Sequence, residues 1–311
     1  MLGQFLAPKF LVLYAILASA LYIHFRGRER FRFTRQLFNH STLLAPYNAL
    51  VFLFSGVPAK AFQDVRQFPD LAPLKDNWTV LREEAQRLFD EGHIRTALAN
   101  NDVGFNSFFK RGWKRFYVKW YGDPLASAEA LCPKTVALLA EVPSVKAAMF
   151  AILEPGAHLN PHRDPFGGSL RYHLGLVTPN SDDCYIVVDG ERYSWRDGEA
   201  VMFDETFIHW ADNKTQVTRI ILFCDVERPL KSKLMTRINR YVIENFVKVS
   251  ATQNVEGEPV GALNRFYGKV VHPIGQQVNG FFKTLKQRNK PLSIALKYTL
   301  ALGLLYWIFV Y

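Results

Sequence analysis

The chain has 311 residues, 49% of them hydrophobic, enough for one domain of about 200–250 residues with further segments attached. Its 38 Lys and Arg against 28 Asp and Glu leave a formal charge of +10, which points to acidic partners such as nucleic acid, anionic lipid or a phosphorylated ligand. Three widely separated cysteines, Cys132, Cys184 and Cys224, exclude a disulfide framework and a thiolate metal site, and fit a reducing compartment.

In chain order, the first feature is an apolar stretch that begins at Phe5, is interrupted by Lys9 and runs from Leu11 to Phe25. A spanning helix needs roughly 20 residues, and a lysine near one end can snorkel. No small-residue cleavage site follows, so a membrane anchor is expected rather than an export signal. Arg26, Arg28, Arg30, Arg32 and Arg35 come next and assign that flank to the cytoplasm by the positive-inside rule. The far end mirrors it: Leu292 to Tyr311 is apolar apart from Lys297 and is preceded by Lys283, Lys286, Arg288 and Lys290. The competing reading makes each segment a buried core helix. With anchors at both ends, the central domain is expected on the cytoplasmic side of a membrane.

Between the ends, the prolines at 46, 58, 69 and 73 mark a loop-rich region. Its apolar patch within 45–57 is too short to span and is either a third membrane contact or core. Asp76 or Asn77 is expected to cap a helix over Trp78–Gly92 that buries Trp78, Leu81, Ala85, Leu88 and Phe89. Lys110–Lys119 mixes five basic residues with aromatics and no acids. It suits nucleic acid, a solvated strand or anionic lipid; the flanking anchors favour lipid and no nucleic acid. A short helix over Cys132–Ala140 precedes a β-rich centre. Strands are expected at 147–153, 170–177, 184–188, 191–195, 199–203 and 219–226, separated by turns that include Asp-Gly at 189–190 and 197–198. After Pro229 comes a basic amphipathic helix with Leu234, Ile238, Tyr241 and Val242 on one face, either lying on a membrane or packed on the barrel. Closely spaced strands indicate a mainly β fold, a sandwich or jelly roll with flanking α-helices and a transmembrane helix at each end. The boundaries that follow are an anchor at 1–25, a basic juxtamembrane and loop region at 26–75, a catalytic domain at 76–250, a basic linker at 251–291 and a second anchor at 292–311.

The chemistry is concentrated between Glu154 and Asp225. His162 and Asp164 form an H-x-D, bracketed by Pro161 and Pro165, and side chains two apart on an extended chain point the same way. His209 arrives from a later strand. Two imidazoles and one carboxylate suit iron(II) and leave half of an octahedral shell open, as oxygen chemistry requires. Arg219 heads RIILFCDV and shares a strand face with Ile221 and Phe223, where a guanidinium can hold a carboxylate with two parallel bonds. Arg171 and His173 are likewise co-facial, and burying both without a partner is costly, so an anion is expected between them. The blander alternative pairs Arg171 with Asp182, and Arg219 with Asp204 or Asp225.

The pieces PGAHLNPHRD, LRYHLGLV, DGERYSWRDGEAVMFDETFIH and TRIILFCDV resemble the aspartyl/asparaginyl β-hydroxylase family of iron(II)- and 2-oxoglutarate-dependent dioxygenases. The resemblance implies a double-stranded β-helix with His162, Asp164 and His209 as iron ligands. It also implies that Arg219 binds the distal carboxylate of 2-oxoglutarate, and that Arg171 and His173 help hold its other end. Animal protein hydroxylases of the family lack the carboxylate that Asp164 supplies, and carry a serine where Ala151 stands. The chain is therefore more similar to the bacterial lipid A acyl-chain 2-hydroxylase branch. That likeness implies hydroxylation of C2 of a secondary acyl chain of lipid A or a precursor at the cytoplasmic face of the bacterial inner membrane, using Fe(II), 2-oxoglutarate and O2, with ascorbate as a supporting reductant. Lys110, Arg111, Lys114 and Arg115 are candidates, from charge alone, to hold substrate phosphates. Two rival readings are a membrane-tethered hydroxylase of protein Asp or Asn, and a non-catalytic jelly-roll module that binds an acidic ligand.

Overall fold

A computed structural model describes residues 8–37, 39–97 and 102–310. Its strands are β1 (Phe62–Gln63), β2 (Trp113–Trp120), β3 (Val145–Leu153), β4 (His158–His162), β5 (Ser169–Val177), β6 (Cys184–Val188), β7 (Glu191–Ser194), β8 (Ala200–Phe203), β9 (His209–Asn213) and β10 (Arg219–Glu227). They form two antiparallel sheets, of order β1-β8-β5-β10-β3-β2 and β4-β9-β6-β7. From β3 to β10 the chain alternates between the sheets, pausing once at the β6–β7 hairpin. That is the jelly roll expected from the strand spacing, in the double-stranded β-helix form that the family resemblance implies. The hairpin closes on Asp189 and Gly190, both at positive φ (50° and 84°), so a two-residue turn matches the twist of its strands.

The long strands read as continuous apolar runs because the large sheet is covered on both faces. Phe150 and Ile152 of β3, Tyr172 and Leu174 of β5, and Leu222 and Cys224 of β10 face a helical layer. The intervening Met149, Ala151, Leu153, Ile221 and Phe223 face the small sheet. The helical layer includes Trp78–Asp90, which buries Leu81, Ala85 and Leu88 as its periodicity predicts. Asn77 stands at the cap position but does not cap; its amide donates to the Pro73 carbonyl at 2.9 Å. Glu84 of this helix instead accepts from the Thr135 amide (2.8 Å) at the start of Pro133–Ala140, where the helix dipole favours an anion. Strands β1, β2 and β4 fall outside the strand ranges expected from the sequence, and β9 supplies the later strand from which His209 was expected. For β2, the solvated-strand reading of Lys110–Lys119 matches in part, although Arg115, Phe116 and Tyr117 are buried.

The terminal segments are helices, Pro8–Arg26 and Lys290–Val310, and the anchors expected there are not borne out, because no helix among the described residues is long and apolar enough to cross a membrane. The uninterrupted apolar runs are short, Phe10–Ile23 between Lys9 and His24, and Tyr298–Val310 after Lys297. Phe5 and Tyr311, which the expected anchors include, lie outside the described residues. The first helix also has a side committed to protein, with Ala20, Ile23 and His24 buried and Arg26 bridged to Asp204 at 2.6 Å.

The region 26–75 is docked on the catalytic domain rather than set apart from it, since β1 extends the large sheet and Asn48 donates to the Pro165 carbonyl at 2.8 Å. In helix Ala45–Leu53, Val51 is buried while Leu50 and Leu53 are exposed, so the 45–57 patch is core on one side only. Helix Lys233–Val242 also divides: Met235 and Asn239 face the barrel, and Leu234, Ile238 and Tyr241 face outward. The expected basic linker at 251–291 carries helices Ala262–Phe266 and His272–Arg288.

Candidate active site

His162 ends β4 and His209 begins β9, and the two are direct partners in the antiparallel register. Their rings consequently lie 4.2 Å apart between centroids. Two residues beyond His162, Asp164 places Oδ1 3.9 Å from the His162 Nε2. The Asp164 amide donates to the Glu205 carbonyl at 2.9 Å, which fixes the loop after the H-x-D. One ligand atom from each of His162, Asp164 and His209 lies within 4.8 Å of the others.

These residues fit a divalent metal in three respects. Each imidazole has Nδ1 against a backbone carbonyl two residues upstream, Asn160 at 2.7 Å for His162 and Phe207 at 3.0 Å for His209. A donating Nδ1 leaves Nε2 with its lone pair, the tautomer a metal needs. Burial, aided by the charge of His162, pushes His209 down to about 3, so its imidazole is neutral and able to ligate. Burial works against ionised Asp164, but Arg171, His209 and His162 outweigh it and hold the carboxyl at about 2. The donor set is hard oxygen and imidazole without thiolate, which suits iron(II) better than a structural zinc.

Arg171 was expected to hold the co-substrate. Its guanidinium is instead taken up by carboxylates: Nε meets Asp225 at 2.7 Å, Nη2 meets Asp164 at 2.8 Å, and Glu205 also contacts Nη2. The alternative partner Asp182 lies elsewhere, on Arg196 at 2.5 Å. Burial raises Glu205 and Asp225, while Ser169 donates to Glu205 at 2.7 Å and Tyr121 to Asp225 at 2.8 Å. One arginine therefore braces the metal-facing Asp164 within a cluster of three acids.

Arg219 presents the opposite case. It is buried, and no carboxylate pairs with it among the described residues: Asp204 is held by Arg26 and Arg228, and Asp225 by Arg171. Its guanidinium stacks on Trp195, 4.4 Å from the ring centroid, and Nε has no hydrogen-bond partner. Burial lowers its proton affinity to about 10, which still leaves it cationic at neutral pH. His173 lies nearby with both ring nitrogens lacking partners, and is driven well below the ordinary imidazole range by burial and then by Arg219. A buried cation and a neutral imidazole, both unsatisfied, line the same pocket as the His–Asp–His group. They fit a small dicarboxylate that reaches from the metal to Arg219.

The rest of the pocket is an aromatic and aliphatic wall that includes Phe105, Phe108, Trp113, Leu159, Ile186 and Phe223. Phe108 packs on His162 at 4.7 Å between centroids. Sequence reasoning missed this wall and the partners of Arg171. Asp225 shares the strand period of Arg219, Ile221 and Phe223, a signal that placed it inside the barrel; Glu205 and Phe108 carried no such signal. Of the four basic residues considered for phosphate, Arg115 is buried against Asp102 at 3.0 Å and Lys114 is paired with Glu154, which leaves Lys110 and Arg111.

Residues 75–229 match the family described as aspartyl/asparaginyl beta-hydroxylase. An ornithine lipid ester-linked acyl 2-hydroxylase of Rhizobium tropici is 36% identical over 172 residues, which cover 54% of this chain and 61% of that protein. The human aspartyl/asparaginyl beta-hydroxylase is 29% identical over 161 residues, covering 50% of this chain and 21% of that protein. The chain thus spans less than two thirds of either curated relative. Among solved structures, a Pseudomonas putida prolyl-4-hydroxylase aligns at a TM-score of 0.33 and 19% identity, covering 50% of this chain and 88% of that one. With the matched segment containing the H-x-D, the second histidine and Arg219, the chain belongs to the aspartyl/asparaginyl β-hydroxylase family.

Proposed function

We propose that this chain is an Fe(II)- and 2-oxoglutarate-dependent hydroxylase of C2 in an ester-linked acyl chain of a membrane lipid, with a secondary acyl chain of lipid A as the specific substrate. The observation that carries the reaction type is Arg219, a buried guanidinium without an acidic partner among the described residues, in the pocket formed by His162, Asp164 and His209. Bound iron with 2-oxoglutarate would supply oxidation of an unactivated C–H bond by O2. The protein's part is to orient and exclude. Arg171 steadies Asp164, the carbonyls of Asn160 and Phe207 set the two imidazoles, Arg219 and His173 receive the co-substrate, and the aromatic wall keeps water from the reacting carbon.

Two features support an acyl chain over a protein side chain. The pocket wall is apolar, and an acyl-lipid hydroxylase is among the relatives. Approach to the bilayer is supported by outward apolar residues on three neighbouring helices, with Leu17 and Leu21 on the first, Leu50 and Leu53 on the second, and Leu234 and Tyr241 on the third. Tyr22 and Phe52 join the first two helices, and a hydrogen bond from Tyr47 to Asn239 joins the second and third. Such a surface flanked by Arg28, Arg30, Lys231 and Lys233 suits a domain lying on the cytoplasmic face of an anionic membrane rather than crossing it. Mass spectrometry of lipid extracts from cells with and without the gene tests the reading. One added oxygen on a lipid A acyl chain supports it. The same addition on an ornithine-type lipid would redirect the lipid assignment, and unchanged lipids with hydroxylated Asp or Asn in proteins would overturn it.

A further inference from the structure

A polar bay of about 330 Å³ lies beside the pocket, lined by Lys110, Arg111, Gly112, Glu154 and His158 among others. Two stretches of chain each contribute to both spaces. Along one, Phe108 faces the pocket, Lys110 and Arg111 face the bay, and Trp113 faces the pocket again. Along β4, His158 faces the bay, Leu159 the pocket, and His162 the metal site. The bay exists because two turns approach closely at glycine. Gly112 has φ +75°, and a Cβ there would meet the Ala157 Cβ at 2.9 Å.

The charges of the bay are unevenly matched. Glu154 is engaged by Lys114, and Asp212 holds the His158 Nδ1 at 2.7 Å. Lys110 and Arg111 have no acidic partner among the described residues, and both are exposed. Four residues of strand separate His158 from His162, about 13 Å at 3.3 Å per residue. An ester, its alcohol and an anionic headgroup bridge a gap of that size.

We infer that Lys110 and Arg111, with His158, form the subsite for the anionic headgroup of the acylated substrate, and so select lipids by head as the pocket selects them by tail. The inference rests on the acyl-lipid reading above. It assigns the two cations a phosphate monoester or similar dianion, for which a lysine and an arginine give a point charge and a fork.

The test compares the protein with its Lys110→Gln/Arg111→Gln variant, on two synthetic substrates that share one acyl chain and differ in a phosphate or a neutral head. The expected result is a KM for the phosphate-headed substrate raised about tenfold in the variant, with kcat and the neutral substrate unaffected. Equal KM values for the two heads in the unaltered protein, or an equal loss on both in the variant, overturn the subsite while leaving the hydroxylase reading intact. Binding of monomeric dodecyl phosphate, followed by tryptophan fluorescence, reads the subsite without turnover. Binding that is lost in the variant and not competed by inorganic phosphate supports a lipid head even where no lipid is hydroxylated, in which case the substrate reading alone fails. Binding competed equally by inorganic phosphate assigns the bay to a free ion and overturns the headgroup claim, as does an absence of binding.

Discussion

Replacing each of the two buried arginines by methionine should give opposite results, because one is surrounded by acids and the other by none. Arg171 holds Asp164 and Asp225 at 2.8 and 2.7 Å and touches Glu205. Removing one member of a buried ion-pair group costs about 3–5 kcal/mol, since the remaining charges stay buried and uncompensated. At 2–4 °C per kcal/mol for a domain of this size, Arg171→Met should lower Tm by roughly 6–20 °C. Arg219→Met deletes a desolvated cation with no carboxylate partner and forfeits only its stacking on Trp195, worth about 0.5–2 kcal/mol. Relief of desolvation offsets that loss, so Tm should move by less than about 5 °C in either direction. Co-substrate affinity should respond in the reverse sense. Two charge-assisted hydrogen bonds of about 1.5–3 kcal/mol each correspond to a 10²–10⁴-fold weaker Kd for 2-oxoglutarate in Arg219→Met. Differential scanning fluorimetry gives the first quantity, and calorimetric titration of 2-oxoglutarate into the Mn(II)-loaded protein gives the second. The reasoning is refuted if Arg219→Met falls as far in Tm as Arg171→Met, or if its Kd stays within threefold of the unaltered protein.

Three other outcomes follow from the geometry. His162→Ala, Asp164→Ala and His209→Ala should each abolish tight Mn(II) binding measured by electron paramagnetic resonance, while His158→Ala, four residues away on the same strand, should leave it unchanged. Asp204 is buried, which would raise its carboxyl, but Arg228 and Arg26 outweigh burial and hold it well below the usual range. Its stabilising contribution is therefore complete above about pH 4 and lost as pH falls through its lower folded value, so the Tm gap between the protein and Asp204→Asn should narrow on titration from about pH 5 to pH 2; a constant gap would contradict this. Leu234→Glu/Ile238→Glu should weaken sedimentation with anionic vesicles without shifting Tm by more than a few degrees, since both side chains point outward. Unaltered sedimentation would remove that helix from the membrane face.

The barrel was legible because its strands are short apolar runs rich in β-branched and aromatic residues and are punctuated by turns such as Asp189–Gly190. The two-residue strand period correctly placed Arg219, Ile221 and Phe223 together, and Arg171 with His173 together, and the register puts both sets on one face of the large sheet. It could not say which arginine was already occupied, because Asp164, Glu205 and Asp225 meet Arg171 from three separate stretches of chain. Strand β4 was hidden by Pro161, which breaks its pattern. The terminal segments are a separate case: apolar composition alone does not distinguish a span from a helix that buries one side against protein, as the first does through Ala20 and Ile23. The aromatic wall came from residues before β2 and within several strands, a convergence that no local pattern announces.

Incubation of the purified protein with Fe(II), 2-oxoglutarate, isotopically heavy O2 and a lipid A precursor in anionic vesicles tests the central claim most directly. The account predicts one heavy oxygen at C2 of a secondary acyl chain for each 2-oxoglutarate decarboxylated, with the second heavy oxygen in succinate. Decarboxylation that labels no lipid, or label that appears instead on Asp or Asn of a co-incubated protein, would contradict it.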